Sequence, residues 1–199
     1  DHIQVPRRCR SITHYRGGAR VTVLIVSTCA EPLSEAEFIV PLVRVIRDAG
    51  KTVESSHLNN LDSVPVGVSH ILLGGTALQD DIYLKENTGI EPLLEADVPL
   101  LAICSGMQLL VAVCGGEIII QREIGMVQVK TIAENPVCSG IFEAFVLHHR
   151  AIEPGPQFEV VAQSKSCVQA IRHYELPRYG VLFHPEVRNE QVVRNFLAL

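Results

Sequence analysis

Two short stretches carry the residue types that acyl chemistry on a cysteine would need. The first is residues 100–110, LLAICSGMQLL. It reads as an apolar strand, a sharp turn at Cys104 and an apolar helix. Ala102 and Gly106 flank the cysteine at the spacing of a nucleophile elbow, with Cys in place of the usual Ser and Ala in place of the first Gly. Such a turn lifts the side chain out of the sheet and points the first helix amides at the same spot. Those unpaired N–H groups and the positive helix end favour a thiolate and an oxyanion. Cys104 taken singly is equally well a buried structural thiol.

The second stretch is residues 179–186, YGVLFHPE, an apolar run that ends in His184-Pro185-Glu186. Pro185 fixes the chain and pushes His184 towards an extended backbone. Residues two apart on an extended segment point the same way. Glu186 can therefore reach one imidazole nitrogen while the other faces a thiol. A cysteine activated by a histidine that a carboxylate orients is the general acyl-transfer arrangement.

The elements around these stretches must position them. Residues 21–26 are a β-branched run, as in a strand buried on both faces. A helix follows, with Ser34 as its expected cap, Glu37 as the capping-box partner, a kink at Pro41 and a stop at Gly50. Residues 51–54 and 69–73 read as the next strands, the latter ending in Gly74-Gly75-Thr76, where the backbone can approach a ligand closely. Residues 80–94 read as a polar loop and a helical stretch. Residues 117–120, 126–132, 142–147, 158–163 and 167–172 read as strands of a smaller, antiparallel layer, with His148-His149-Arg150 in a break between two of them. A strand at 179–183 and a helix at 189–197 close the chain. Strand–helix–strand order with short connections predicts an α/β fold with a mostly parallel sheet.

Composition bounds the reading further. A chain of 199 residues is long enough for one domain with a full core. Net charge is −5, which does not point to nucleic acid. Residues 98–116 carry no charge and nearly reach a membrane-spanning length, but Pro99, Ser105, Gly106 and Gln108 interrupt them, and a strand followed by a helix explains them better. The six cysteines are scattered without a CxxC pair, as expected for reduced thiols in a cytoplasmic protein. His148 and His149 lack a third ligand at suitable spacing, so no metal and no cofactor are expected. Arg122-Glu123 reads as a solvated pair or as the edge of a site. Residues 1–20, with five arginines around Gly17-Gly18, read as a basic leader, either mobile or touching a partner; residues 21–199 form the expected domain.

Residues 102–108 resemble the GxCxGxQ segment of class I (triad-type) glutamine amidotransferases, and residues 180–186 resemble their GVQFHPE segment. Gly74-Gly75, Arg122-Glu123-Ile124-Gly125 and His148-His149 add weaker support. The resemblance runs over residues 21–197. It implies a doubly wound α/β sheet flanked by helices with a small accessory β layer. It also implies that Cys104 attacks the side-chain amide of L-glutamine, His184 shuttles the proton and Glu186 orients His184. The backbone amides of Gly75 and Ser105 would hold the oxyanion, while Gly74, Gln108, His148 and His149 would border the glutamine. Ammonia would pass to an ATP-dependent synthetase partner. The C-terminal half is most similar to the glutaminase part of GMP synthase, through residues 158–164 and 170–173. It departs from that pattern at Ser27-Thr28-Cys29-Ala30-Glu31, at Thr76 in place of a proline, and at Ala151 in place of an acid. Two alternatives stay open: a γ-glutamyl hydrolase that uses the same three residues without a partner, and a non-catalytic regulatory module of this fold.

Overall fold

The computed structural model describes residues 22–199; the basic stretch 1–20 lies outside them. Among the described residues one nine-stranded sheet forms, in the order β2-β1-β3-β4-β9-β8-β7-β5-β6. Its strands are β1 (Thr22–Ser27), β2 (Thr52–His57), β3 (Val68–Leu73), β4 (Leu100–Ile103), β5 (Glu117–Thr131), β6 (Ile141–Glu153), β7 (Phe158–Gln163), β8 (Val168–His173) and β9 (Arg178–Val181). The pairs from β2 to β9 are parallel. Those from β9 to β6 are antiparallel. The accessory strands are thus a hydrogen-bonded continuation of the main sheet.

Helices cover both faces, as an α/β sheet requires. Alternate residues of β1 show why. Val23 and Ile25 join a core with Leu42 and Ile46 of α2 (Val40–Asp48) and Phe196 of α5 (Gln191–Phe196). Leu24 and Val26 face a second core with Leu93 of α3 (Ile90–Glu95) and Leu109 and Leu110 of α4 (Ser105–Val113). Residues 98–116 resolve into β4 and α4, and no helix among the described residues is long and apolar enough to cross a membrane.

Three local expectations need correction. The first helix, α1 (Pro32–Phe38), starts earlier than the Ser34 cap would set it. Glu31 is its N-cap and makes no side-chain cap bond. Pro32 fits the first helical position, where its missing N–H costs nothing, and Ser34 then falls inside the first turn. The break expected at Pro41 is real and separates α1 from α2 at Ile39. Residues 117–120 and 126–132 are one strand, because the polar segment between them is a bulge, with a register shift between Ile120 and Glu123. His148-His149-Arg150 lies within β6, not in a break; His148 pairs with Glu123 and Arg150 with Ile120.

Gly106 shows how tightly α4 is seated. A Cβ there would lie 2.4 Å from the carbonyl oxygen of Leu73, which belongs to the rigid backbone of β3. Gly106→Ala should lower unfolding free energy by about 1–3 kcal/mol through overpacking. Urea titration of the two proteins measures it, and equal midpoints would show that the helix can ride up at no cost.

Candidate active site

Cys104 occupies the turn between β4 and α4 with φ +49° and ψ −109°, a conformation that side chains rarely adopt. Its N–H donates to the carbonyl of Val181 at 2.8 Å, which fastens the elbow to the end of β9. Since β4 and β9 are parallel neighbours, with Ile103 opposite Val181, the segments that leave them emerge side by side. The N–H of His184 donates to the carbonyl of Phe145 at 2.8 Å and holds that segment against β6. The two expected halves of the site therefore meet at the carboxyl ends of two neighbouring central strands.

His184 and Glu186 are buried, and Nδ1 of the imidazole lies 2.7 Å from Oε1 of the carboxylate. Nε2 is left for Cys104. Gly75 marks the junction: a Cβ added there would lie 3.1 Å from Cε1 of His184 and 3.3 Å from Cβ of Cys104. Only a glycine leaves the thiol and the ring their present spacing. Burial pushes the imidazole pKa down, but the neighbouring Cys104 sulfur and the Glu186 carboxylate outweigh it and raise it to about 10.

The loop carrying Gly75 is oriented from below. Thr28 Oγ donates to the carbonyl of Gly74 at 3.1 Å and so accepts, at 2.9 Å, from the hydroxyl of Ser105. A trans peptide points its C=O and N–H in opposite directions, so the Gly75 N–H is directed away from Thr28. Ser105 is the first residue of α4, and its N–H has no carbonyl within the helix to bind. The Cys29 thiol packs under the same loop, 3.5 Å from the carbonyl of Gly75, and burial raises its pKa.

A cleft of about 240 Å³ opens above Cys104, walled by Thr76, Tyr83, Gln108 and residues 147–150. Gln108 lies in this wall, but its amide is already engaged. Oε1 accepts from the Tyr83 hydroxyl, and Nε2 donates to the carbonyl of Arg150 at 2.8 Å. The Arg150 guanidinium donates to both carboxylate oxygens of Asp81, at 2.5 and 2.7 Å. His149 is partly exposed and lies 3.7 Å from the same carboxylate. His148 turns its ring nitrogens to β5, at Gln121 and Glu123, not into the cleft.

The model of the class-I glutamine amidotransferase family matches residues 34–198. The chain belongs to that family. The amidotransferase is 34% identical over 151 residues to the glutamine-hydrolysing GMP synthase subunit of Pyrococcus abyssi, covering 68% of this chain and 76% of the relative. With GMP synthase of Streptococcus thermophilus it shares 33% identity over 175 residues, 78% of this chain but 32% of that longer protein. Its fold matches that of a Thermoplasma acidophilum protein assigned to the same kind of GMP synthase component, with a TM-score of 0.82, 21% identity and coverage of 92% of this chain and 94% of that one. A glutamine amidotransferase of Thermotoga maritima superposes with a TM-score of 0.68 at 19% identity, over 90% of this chain and 82% of that one.

Two residues at the amidotransferase cleft and one beside it have contacts that the sequence did not mark. Asp80 and Asp81, which read as a plain polar loop, have separate structural tasks. Asp80 accepts from the Ala30 N–H and the Thr76 hydroxyl, both at 2.7 Å, and ties the loops after β1 and β3 together. Asp81 holds Arg150. Glu123 is buried and hydrogen-bonded to Ser164 and Gln169, which excludes the solvated-pair reading of Arg122-Glu123. No local pattern marks these pairs, because their partners lie far away in the chain.

Proposed function

We propose that the chain hydrolyses the side-chain amide of glutamine through a Cys104 thioester and passes ammonia to a synthetase partner. The observation that supports this most directly is the meeting of Cys104 and His184 beside Gly75, with Cys104 lining the cleft and Glu186 on the far nitrogen of the ring. In this reading the Cys104 sulfur attacks the amide carbon. The Gly75 and Ser105 N–H groups receive the developing oxyanion, a contribution worth about 10²–10³ in kcat per donor in a comparable enzyme. The imidazolium of His184 gives its proton to departing ammonia, and Glu186 holds the tautomer that permits it. Water then enters, His184 takes a proton from it, and the thioester opens to glutamate. The α-amino and carboxylate end of glutamine would rest along residues 147–150, bordered by Gly74, Gln108 and His149. Residues 21–199 act here as one glutaminase domain.

The names of the relatives favour the ATP-pyrophosphatase component of GMP synthase as the partner and XMP as the ammonia acceptor. The test is a glutamate-release assay on the purified chain, first without and then with that synthetase component, ATP and XMP. Glutamate release that rises several-fold with the synthetase, and GMP formed from glutamine, support the reading. Full-rate release without the synthetase, unchanged on adding it, would favour the γ-glutamyl hydrolase alternative. No release in either case, with Cys104 unlabelled by a diazoketone analogue of glutamine, would leave only the regulatory module.

A further inference from the structure

We propose that Glu123, His148 and Cys167 form a binding site for a borderline divalent transition-metal ion, with Zn²⁺ the best match. The site lies beside the amidotransferase cleft, where β5, β6 and the turn between β7 and β8 meet. It does not depend on the amide-hydrolysis reading. The ligand atoms are Oε2 of Glu123, Nε2 of His148 and Sγ of Cys167, all within 4.8 Å of one another. The Cys167 thiol donates to that one carboxylate oxygen at 3.2 Å, and the imidazole nitrogen lies 3.6 Å from it. A tetrahedral ion with bonds of about 2.0–2.3 Å needs ligands about 3.3–3.6 Å apart. Both distances to the carboxylate oxygen are close to that spacing before any ion enters, and the sulfur and the imidazole nitrogen lie within 4.8 Å of each other.

The tautomer of His148 carries the inference further. Its Nδ1 lies 3.1 Å from the carbonyl oxygen of Gln121. A carbonyl can only accept, so Nδ1 holds a ring proton, and in the neutral imidazole Nε2 keeps a lone pair. That nitrogen is buried, has no hydrogen-bond partner among the described residues, and faces a carboxylate oxygen. Two acceptors turned towards each other in a buried place repel unless a cation lies between them. Metal-binding histidines commonly donate the other ring N–H to a backbone carbonyl in this way.

The surroundings fit the same chemistry. The Glu123 carboxylate is oriented by Gln169 Nε2 at 2.7 Å and the Ser164 hydroxyl at 3.0 Å. A neutral imidazole, a carboxylate and a thiolate carry two negative charges, which a divalent ion balances; the Cys167 proton leaves to solvent as the ion enters. Nitrogen, oxygen and sulfur donors together suit Zn²⁺ better than Mg²⁺ or Ca²⁺. Glu123 and Ser164 also line an open groove of about 930 Å³, which supplies the entry path. A water would complete the tetrahedron. An ion here would pin β6 one residue away from His149, at the wall of the cleft.

The test is titration of the whole chain, stripped with a chelator, first with Co²⁺ and then with Zn²⁺. One equivalent of Co²⁺ should give tetrahedral visible bands and a thiolate-to-cobalt charge-transfer band, and Zn²⁺ should displace it. Cys167→Ser should lose the charge-transfer band, while Cys104→Ser keeps it. His148→Gln should weaken binding by about 10²-fold and lose the rise in Tm that Zn²⁺ gives the parent protein. The inference is overturned if the parent protein, whose fold is not in question, forms no one-to-one complex. It is equally overturned if the band survives in Cys167→Ser or vanishes with another cysteine instead.

Discussion

Cys104→Ala should abolish glutamine hydrolysis, with kcat reduced by about 10⁴–10⁶, the range that loss of a triad member produces elsewhere. The reason is that among the described residues no second thiol stands at the same point. Cys29, the other thiol beneath the loop, donates to the carbonyl of Gly75 and is held in its protonated form by burial. A steady-state glutaminase assay on matched, folded protein measures the loss; a variant retaining a tenth of parental kcat would remove Cys104 from the reaction. The same position carries a second, opposite expectation for stability. At φ +49° and ψ −109° the backbone of residue 104 is strained for any side chain, at a cost of about 1–3 kcal/mol. Glycine relieves that strain but gives back about 0.4–1 kcal/mol through the freer unfolded chain. Cys104→Gly should therefore be more stable than Cys104→Ala by about 1 kcal/mol in urea titration. An alanine variant as stable as the glycine one would mean that the elbow is not strained.

Glu186→Gln should move the alkaline limb of kcat/KM to lower pH and reduce kcat by about 10²–10⁴, since loss of the carboxylate in a comparable triad costs about 10⁴. The sign follows from what holds the imidazole charged. Burial opposes the charge, whereas the Cys104 sulfur and Glu186 favour it and set the ring at about 10. With Glu186 in place the imidazolium persists through neutral pH, and the acid that protonates departing ammonia is lost only as pH passes about 10. The observed limb belongs to the Cys104–His184 pair as a unit. The stability linkage has the same sign. A ring raised above its unfolded value of 6.5 stabilises the fold fully below that value and progressively loses the contribution as pH climbs to about 10. Glutamine removes one favourable partner and leaves burial unchanged, so both windows should shorten from the alkaline side. A pH–rate series on the two proteins decides it, and superimposable alkaline limbs would show that the carboxylate does not set the charge on the ring.

The legible parts of this molecule were those written in a few adjacent residues. The elbow at 102–106 follows from a small residue, a glycine and a strand-to-helix turn, and Cys104 has the positive φ that such a turn demands. His184-Pro185-Glu186 keeps its contact local, but through a turn instead of the expected extended segment: the N–H groups of Val187 and Arg188 donate to the His184 carbonyl, and the Glu186 carboxylate folds back onto the ring. The break at Pro41 and the stop at Gly50 are equally local. Less legible were the long strands. Arg122-Glu123 and His148-His149 look like interruptions because polar side chains usually face water, yet the bulge in β5 lets Glu123 and His148 meet under cover.

By itself the sequence determined where the backbone bends and which runs must be buried, since steric limits on φ and ψ and the alternation of apolar residues act over a few positions. It therefore determined the strand–helix order, the strained cysteine and the histidine–glutamate contact. Only the tertiary structure decided that β4 and β9 are neighbours, which brings Cys104 to His184. It likewise decided that Asp81 grips Arg150 and that Glu123, His148 and Cys167 converge. Those meetings depend on sheet order and register. Both are set by burying two whole apolar faces at once, a condition that no short stretch of residues contains.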